Sequence, residues 1–426
     1  MKKTVLVKAP ALTQSGYGEH SRLILRALRA HEDRFDVYLI LTKWGNTGWI
    51  WDDTEERQWI DQIAQKTLMR VTQGPFRPDI FLHVSIPGEF EQLANVNIGI
   101  TAGVETTKIS AQWVAKCNQM TKIFTISKFA RDSILRTERD IQTPHGIIPG
   151  VKVGVPVEVF PYPERNLEPE IPQLELPCEN NFLVVAQWSP RKNLEKTIRW
   201  FMEEMFLKDD VALVLKVNTS ANSIYDKYIT RVNLQKLLAP YRGHKCRVHL
   251  LHGDMTDAEM AGLYRHPKMT ALINLAHGEG YSLPLFEAMT AGLPVITHGW
   301  SGQSDFLYHT KTSVRKSKSG KRKKKERPVA GFSEVLYDLQ QVQPEAVWPG
   351  VIEPDSMWAF PKEESFKKAL GNLLSNPQAA RRRAEELRSA VRANHEEAPL
   401  LQKIANAIWE PSDSEREWLE EETEVV

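Results

Sequence analysis

A chain of 426 residues, with 42% hydrophobic residues and 55 basic against 54 acidic side chains, has the composition of soluble globular proteins and the length of two domains. Its three cysteines, Cys117, Cys178 and Cys246, are odd in number and widely spaced, which excludes a disulfide framework and offers no metal pattern. No apolar run approaches the ~20 residues that span a bilayer and no leader segment is evident, so a reducing, cytoplasmic setting is expected.

In chain order, the first apolar run, 3–8, predicts a parallel strand. It leads into TQSGYGEHSRLILRAL, where Gly16 and Gly18 form a turn ahead of a helix. This turn is also a partial dinucleotide fingerprint. Ser21 stands where the third glycine belongs, and no strand with an acidic end follows at the right distance, so a nicotinamide site is not expected. Residues 35–41, 79–84 and 122–126 predict further strands. In GVETTKISAQWVAKCNQMTKIFTISKFARDSI, Glu105 precedes a helix and reads either as a carboxylate facing a ligand cleft or as a plain helix-approach residue. PYPERNLEPEIPQLELP, with five prolines, reads as an interdomain linker.

The second half repeats the alternation, with strands at 182–186, 212–217, 247–251 and 272–275. Two doubly wound α/β domains are therefore expected, with a cleft at the carboxyl edges of their sheets. In FLVVAQWSPRKNLEKTIRWF, Arg191 and Lys192 sit between strand and helix, suited to an anion or to ordinary solvation. LINLAHGEGYSLPLFEAMTAGLPVI predicts a buried strand, a turn over 278–283, a helix with Pro284 at its first position, a left-handed cap at Gly292 and a resumed strand at 295–297. Free N–H groups at that helix start suit a phosphate, and Gly280 lets the backbone approach closely. Glu279 and Glu287, the latter placed in the first helical turn, are expected at one mouth, accepting hydrogen bonds from sugar hydroxyls. The alternative is a helix start carrying surface glutamates. Of the histidines only His277, beside Glu279, merits attention; the others suit packed or surface positions, and no metal site is predicted.

Residues 311–327 read KTSVRKSKSGKRKKKER, ten basic residues and one acid, so this block carries +9 and the rest of the chain −8. Such density without apolar periodicity predicts a disordered or mobile loop. It is either a solvated insertion or an arm for nucleic-acid phosphates or acidic lipid headgroups, through Lys316, Lys318, Lys321, Arg322, Lys323, Lys324, Lys325 and Arg327. A helix is predicted over 379–395, and another around Trp418 in the acidic tail.

The string GEGYSLPLFEAMTAGLPVI, with seven residues between Glu279 and Glu287, resembles the donor-site signature of family 4 glycosyltransferases of the GT-B fold. FLVVAQWSPRKNLEKTIRWF is similar to the family's first strand, loop and helix of the donor domain, TQSGYGEHSRLILRAL to its opening glycine loop, and EPDSMWAFPKEESFKKALGNLL to its late segment. The resemblance implies two Rossmann-like domains facing a central cleft: 1–163 on the acceptor side, a linker over 164–178, a nucleotide-sugar domain over 179–395 with the basic insertion, and a helical tail over 396–426 packing back on the first domain. It implies that Glu279 meets hydroxyls of the transferred sugar, Glu287 the ribose, and the amides of Tyr281, Ser282 and Leu283 the diphosphate, with Lys192 neutralising the leaving group. Gly16, Gly18 and Gly280 would line the donor site and Glu105 the reacting sugar. Where the family usually has an arginine, five residues before the lysine, this chain has Gln187, so Arg191 is the candidate second cation. The implied reaction is retaining and metal-independent, needs no cofactor, and uses a UDP- or GDP-hexose as co-substrate with a glycan or glycolipid acceptor. Two alternatives remain open: a phage-type DNA glycosyltransferase acting on a hydroxymethylated base, with the basic arm on DNA, and a non-catalytic nucleic-acid-binding protein on the same scaffold.

Overall fold

The computed structural model describes residues 2–316 and 322–411. The chain divides into two compact units, Met1–Pro163 with Val347–Ser356 and His395–Val426, and Glu164–Ala346 with Met357–Asn394.

The first unit is built on a six-stranded, all-parallel sheet in the order Phe35–Leu41, Lys3–Ala9, Ile80–Val84, Val96–Thr101, Lys122–Thr125, Val157–Val159. Val96–Thr101 was not among the strands expected from the sequence, and its polar and glycine residues serve tertiary contacts. Asn97 is buried and its amide holds Leu93, Ala94 and the Ala94 carbonyl, while a side chain at Gly99 would enter the Phe90 ring, at 2.3 Å. Val347–Ser356 joins this unit through Asp355, which takes two bonds from Arg139 (2.7 and 2.9 Å) and one from Lys108 (2.9 Å). Those bonds hold its carboxyl at about 2. The helix Glu397–Ile408 lies against Gly16–Arg29, with Arg26 and Glu397 3.3 Å apart. Trp418 lies outside the described residues.

The second unit has its own six-stranded parallel sheet, in the order Arg247–Leu250, Val211–Asn218, Asn180–Gln187, Met269–Asn274, Val295–Thr297, Ser333–Glu334. Numbered along the chain this is 3-2-1-4-5-6, the dinucleotide-domain order, and its direction reverses between Asn180–Gln187 and Met269–Asn274. Phe182, Leu213 and Ile273 from the sheet pack with Phe201, Met202 and Phe366 from the helices in one buried cluster. Segment 164–178 has no regular structure and lies against the helix Asp257–Tyr264: the Glu170 N–H bonds the Ala258 carbonyl (2.9 Å), and a Cβ at Gly262 would stand 1.9 Å from the Glu170 oxygen. The helix expected over 379–395 is Pro377–Arg392, capped by Asn376.

The basic block departs from the expected loop. Tyr308–Lys316 and Arg322–Ala330 pair as an antiparallel hairpin. Its base is anchored: Lys311 pairs with Glu386 (2.9 Å), the Tyr308 ring stands edge-on to Phe332 (5.3 Å), and a Cβ at Gly331 would lie 2.4 Å from Leu387. Tertiary anchoring and the ladder override the charge density that argued for irregular chain. The backbone register sets Lys311 opposite Arg327, Arg315 opposite Lys323 and Lys316 opposite Arg322. Lys318 and Lys321 lie outside the described residues.

Four buried histidines give this fold an acid limit. Burial lowers His20 to about 3, and His83, His277 and His298 to about 4. Unfolded histidines bind a proton near pH ~6.5 and these do not until well below it, so their contribution is complete above that pH and is lost as pH falls through 6 and 5 towards 4. The slope is roughly 1.4 kcal/mol per pH unit for each histidine. Each unit holds two of them, so urea midpoints for both units at pH 5 are expected well below those at pH 7. Equal midpoints would show that these side chains are solvated.

Candidate functional site

Two loops leave the carboxyl ends of the strands that flank the reversal in the second sheet. After Asn180–Gln187 comes a single turn, Pro190–Lys192, closed by Asn193 in the left-handed region (φ 53°), which asparagine tolerates. The Asn193 amide donates to the Leu275 carbonyl (3.1 Å), and the His277 N–H to the Arg191 carbonyl (2.8 Å), so this turn is bound to the neighbouring loop at two points. After Met269–Asn274, residues 275–282 lead into the helix Leu283–Thr290. That helix starts with Pro284 at its second position. It ends in a Schellman motif: Gly292 (φ 81°) bonds back to Met289 and Leu293 to Ala288.

Arg191, Lys192 and Glu279 meet at this point. The Glu279 carboxylate is buried, 5% exposed, and lies 2.6 Å from Lys192 Nζ and 2.9 Å from an Arg191 guanidinium nitrogen. Burial raises its pKa, but the charges and hydrogen bonds of Lys192 and Arg191 more than offset that and hold it down to about 2. The trio therefore carries one net positive charge at the carboxyl edge of the sheet. Arg191 also donates to the Gly278 carbonyl (2.8 Å), and the Asn274 amide donates to Ser282 Oγ (2.9 Å) and reaches Glu279 at 3.4 Å. Beneath the turn, Ser301 Oγ accepts the Glu279 N–H (3.0 Å), and the Gly302 N–H bonds the Glu279 carbonyl (2.9 Å). Ser301 does so at φ 70°, ψ −161°, and Ser282 enters the helix at φ 74°; both are conformations that non-glycine residues adopt at a cost of about 1–3 kcal/mol.

Other expected positions resolve differently. Glu287 is the fifth residue of its helix, not part of the first turn, because the helix begins at Leu283. It is exposed, and its charge, after burial itself, keeps the Tyr264 hydroxyl of the adjoining helix protonated. The Tyr281 ring is buried against Phe286 and Phe306 (5.3 and 5.0 Å). His277 is a packing residue: stacked on Trp358 (5.0 Å, 14°), bonded to the Ala359 carbonyl (2.6 Å), and lowered by burial to about 4, it is neutral at pH 7. The Gln187 amide donates to the Thr219 carbonyl (3.3 Å).

Gly16, Gly18 and Glu105 belong to the first unit. Gly18 is required by packing, since a Cβ there would stand 2.0 Å from the Thr13 carbonyl oxygen, whereas at Gly16 it would meet nothing within 4 Å. Glu105 follows the end of Val96–Thr101, half-buried, and its charge bears on the hydroxyl of Tyr17, which bonds Thr101 Oγ1 at 2.8 Å. Asn193, Asn274, Ser301 and Gly302 were not singled out in the sequence. An asparagine ending a predicted strand and another following SPRK were weak signals, and Ser301 gave none. Among the described residues no group of three or more histidines, cysteines or carboxylates is arranged to hold a metal ion, and no helix is long and apolar enough to cross a membrane.

No protein-family model matches the chain, and no curated protein sequence matches it. Solved structures do. Sucrose-phosphate synthase from Thermosynechococcus elongatus superposes with a TM-score of 0.61 at 13% identity, over 95% of this chain and 98% of that one. The apo form of OtsA gives 0.56 at 11% identity, over 96% and 100%. WaaG, a glycosyltransferase involved in lipopolysaccharide biosynthesis, gives 0.51 at 14%, over 96% and 100%. At such identities the likeness establishes the fold, the GT-B pairing of two Rossmann-like domains.

Proposed function

We propose that the chain is a family 4-type glycosyltransferase that moves a hexose, with retention of configuration, from a nucleoside diphosphate sugar to an acceptor hydroxyl. The observation that carries this reading is the Arg191–Lys192–Glu279 cluster at the reversal of the second sheet, where open α/β sheets bind ligands. A half-buried pair of cations held by one buried carboxylate suits a diphosphate, whose charge grows as it leaves. Amides of Tyr281, Ser282 and Leu283 at the start of the helix Leu283–Thr290 add dipoles of the same sign.

In this mechanism the anomeric C–O bond to the diphosphate breaks, the acceptor oxygen bonds the anomeric carbon from the same face, and the acceptor's proton passes to the departing phosphate oxygen. Glu279 forms no covalent bond. It fixes both cations and accepts hydrogen bonds from sugar hydroxyls, charge-assisted contacts about twice as strong as neutral ones. Exposed Glu287 accepts from the ribose hydroxyls. On the first unit Glu105 serves as an acceptor-side carboxylate, and no step calls for a metal.

The test pairs UDP- and GDP-hexoses with glycans, a glycolipid extract and DNA carrying hydroxymethylated bases. The DNA belongs in the panel because residues 311–327 carry ten basic side chains and one acid, a density suited to phosphates. Mass spectrometry is expected to show a hexose gain on one acceptor class, insensitive to a chelator, with the anomeric configuration retained by NMR. Absence of donor turnover with every pair, hydrolysis included, would overturn the transferase reading.

A further inference from the structure

We infer that the first unit carries a sugar-stacking platform, Trp49 and Trp51, on which an acceptor glycan docks; this deepens the transferase reading above and rests on it. Residues 42–53 follow the strand Phe35–Leu41 and are bound to the loop that follows the adjacent strand Lys3–Ala9. The Gln14 N–H bonds the Gly48 carbonyl (2.8 Å), the Ile50 N–H bonds the Leu12 carbonyl (2.7 Å), and Thr13 and Trp49 form a β-bridge. Both loops leave the carboxyl edge of the sheet, and the strand Lys3–Ala9 borders the reversal in its order.

The base of the segment is fixed. Trp44 stacks on Tyr17 at 3.9 Å and 24°, and Tyr17 is buried and bonded to Thr101. Beyond that base, burial alternates as it does in an extended chain: Trp49 is 44% exposed, Ile50 is half-buried, and Trp51 is 64% exposed. Two indoles held in the open on an anchored segment form an apolar patch that packing does not explain. They are rigid, flat, and lose little rotamer freedom on binding.

Of the acceptor classes open to a glycosyltransferase, nucleic-acid bases and the C–H face of a pyranose both stack on indole. The surrounding charge decides between them. Asp52, Asp53 and Glu55 follow Trp51; Glu56 is paired with Arg26 (3.0 Å), and Arg57, which donates to the Ile50 carbonyl, is paired with Asp61 (2.9 Å), so against Lys43 the local balance stays negative. Phosphates would be repelled there, whereas sugar hydroxyls donate to carboxylates. The occupant is therefore a neutral or cationic glycan, with its ring faces on Trp49 and Trp51.

The experiment uses the full chain and its Trp49→Ala, Trp51→Ala and double variants, first shown to keep the wild-type melting temperature. Maltotetraose, cellotetraose and mannotetraose are titrated against intrinsic tryptophan fluorescence, beside a twelve-residue thymidine oligonucleotide. At least one saccharide is expected to quench the wild type, with roughly ten-fold weaker binding in each single variant. KM for an acceptor saccharide should rise by a similar factor at little-changed kcat, while donor hydrolysis without acceptor stays at the wild-type rate. No quenching by any saccharide, unchanged affinity in the double variant, or tighter binding of the oligonucleotide would overturn the platform. Loss of donor hydrolysis in the wild type would instead strike at the transferase reading, so the two failures are distinguishable.

Discussion

Lys192→Ala and Glu279→Gln are each expected to lower donor turnover by about 10²–10³, the usual loss when one preorganised charge-stabilising group is removed. Their effects on binding should diverge. Lys192→Ala removes a cation, so UDP binds more weakly and turnover falls with it. Glu279→Gln removes the anion on which Lys192 and Arg191 are spent, at 2.6 and 2.9 Å, so UDP binds as well as before or better while turnover collapses. In the double variant the losses should not add, because the two groups act through one contact. Calorimetry with UDP, alongside single-turnover hydrolysis of the preferred donor, reads both quantities. Turnover unchanged in either single variant would remove that residue from the mechanism. Both proteins should stay folded, since Glu279 keeps Arg191 in the first case and the glutamine keeps a carbonyl acceptor in the second.

The second large effect is expected at Gly302→Ala, a position remote in sequence from the conspicuous motif. The new Cβ would stand 1.9 Å from the Gly280 carbonyl oxygen and 2.9 Å from that of Glu279; both are backbone atoms with no flexible side chain to yield. Relief requires the 301–302 and 279–280 segments to separate, breaking the Gly302 N–H bond to Glu279 and displacing the carboxylate from its cations. A loss of about 1–3 kcal/mol in stability is expected, as for forced overpacking, together with at least ten-fold weaker UDP binding. Gly16→Ala is the control. Its Cβ meets nothing within 4 Å and its φ is not positive, so its urea midpoint should match the wild type. Equal midpoints for the two variants would mean that the 279–280 turn is not clamped from below.

Local rules carried part of this architecture. In 272–297 the sequence predicted a buried strand, a turn, a helix, a glycine cap and a resumed strand, and the structure contains Met269–Asn274, Leu283–Thr290, Gly292 at φ 81° and Val295–Thr297. Each of these depends on residues within one or two turns of chain: proline near a helix start, glycine in a left-handed cap, a run of apolar residues long enough for one strand. The misses have the opposite character. Val96–Thr101 was left unassigned, and its Gly99 and Asn97 are dictated by Phe90 and by the Leu93–Ala94 turn. The basic block looked irregular because its partner strand and its anchors on Glu386 and Leu387 are not neighbours in sequence. Glu287 was placed one residue too near the helix start because Pro284 was read as the first helical residue, whereas the helix begins at Leu283.

By itself, then, the sequence determined the alternation of strands and helices, the two-domain α/β class and the strand–turn–helix that presents Glu279, since these follow from short-range periodicity and backbone preference. Only the tertiary structure decided what Glu279 does there. Lys192 and Glu279 are 87 residues apart and meet because the strands Asn180–Gln187 and Met269–Asn274 are neighbours in the sheet. Sheet order, set by the burial of whole faces rather than by local pattern, brings two cations to one buried carboxylate and holds it ionised. The same long-range order pins Trp49 to the loop after Lys3–Ala9 and leaves its indole in the open.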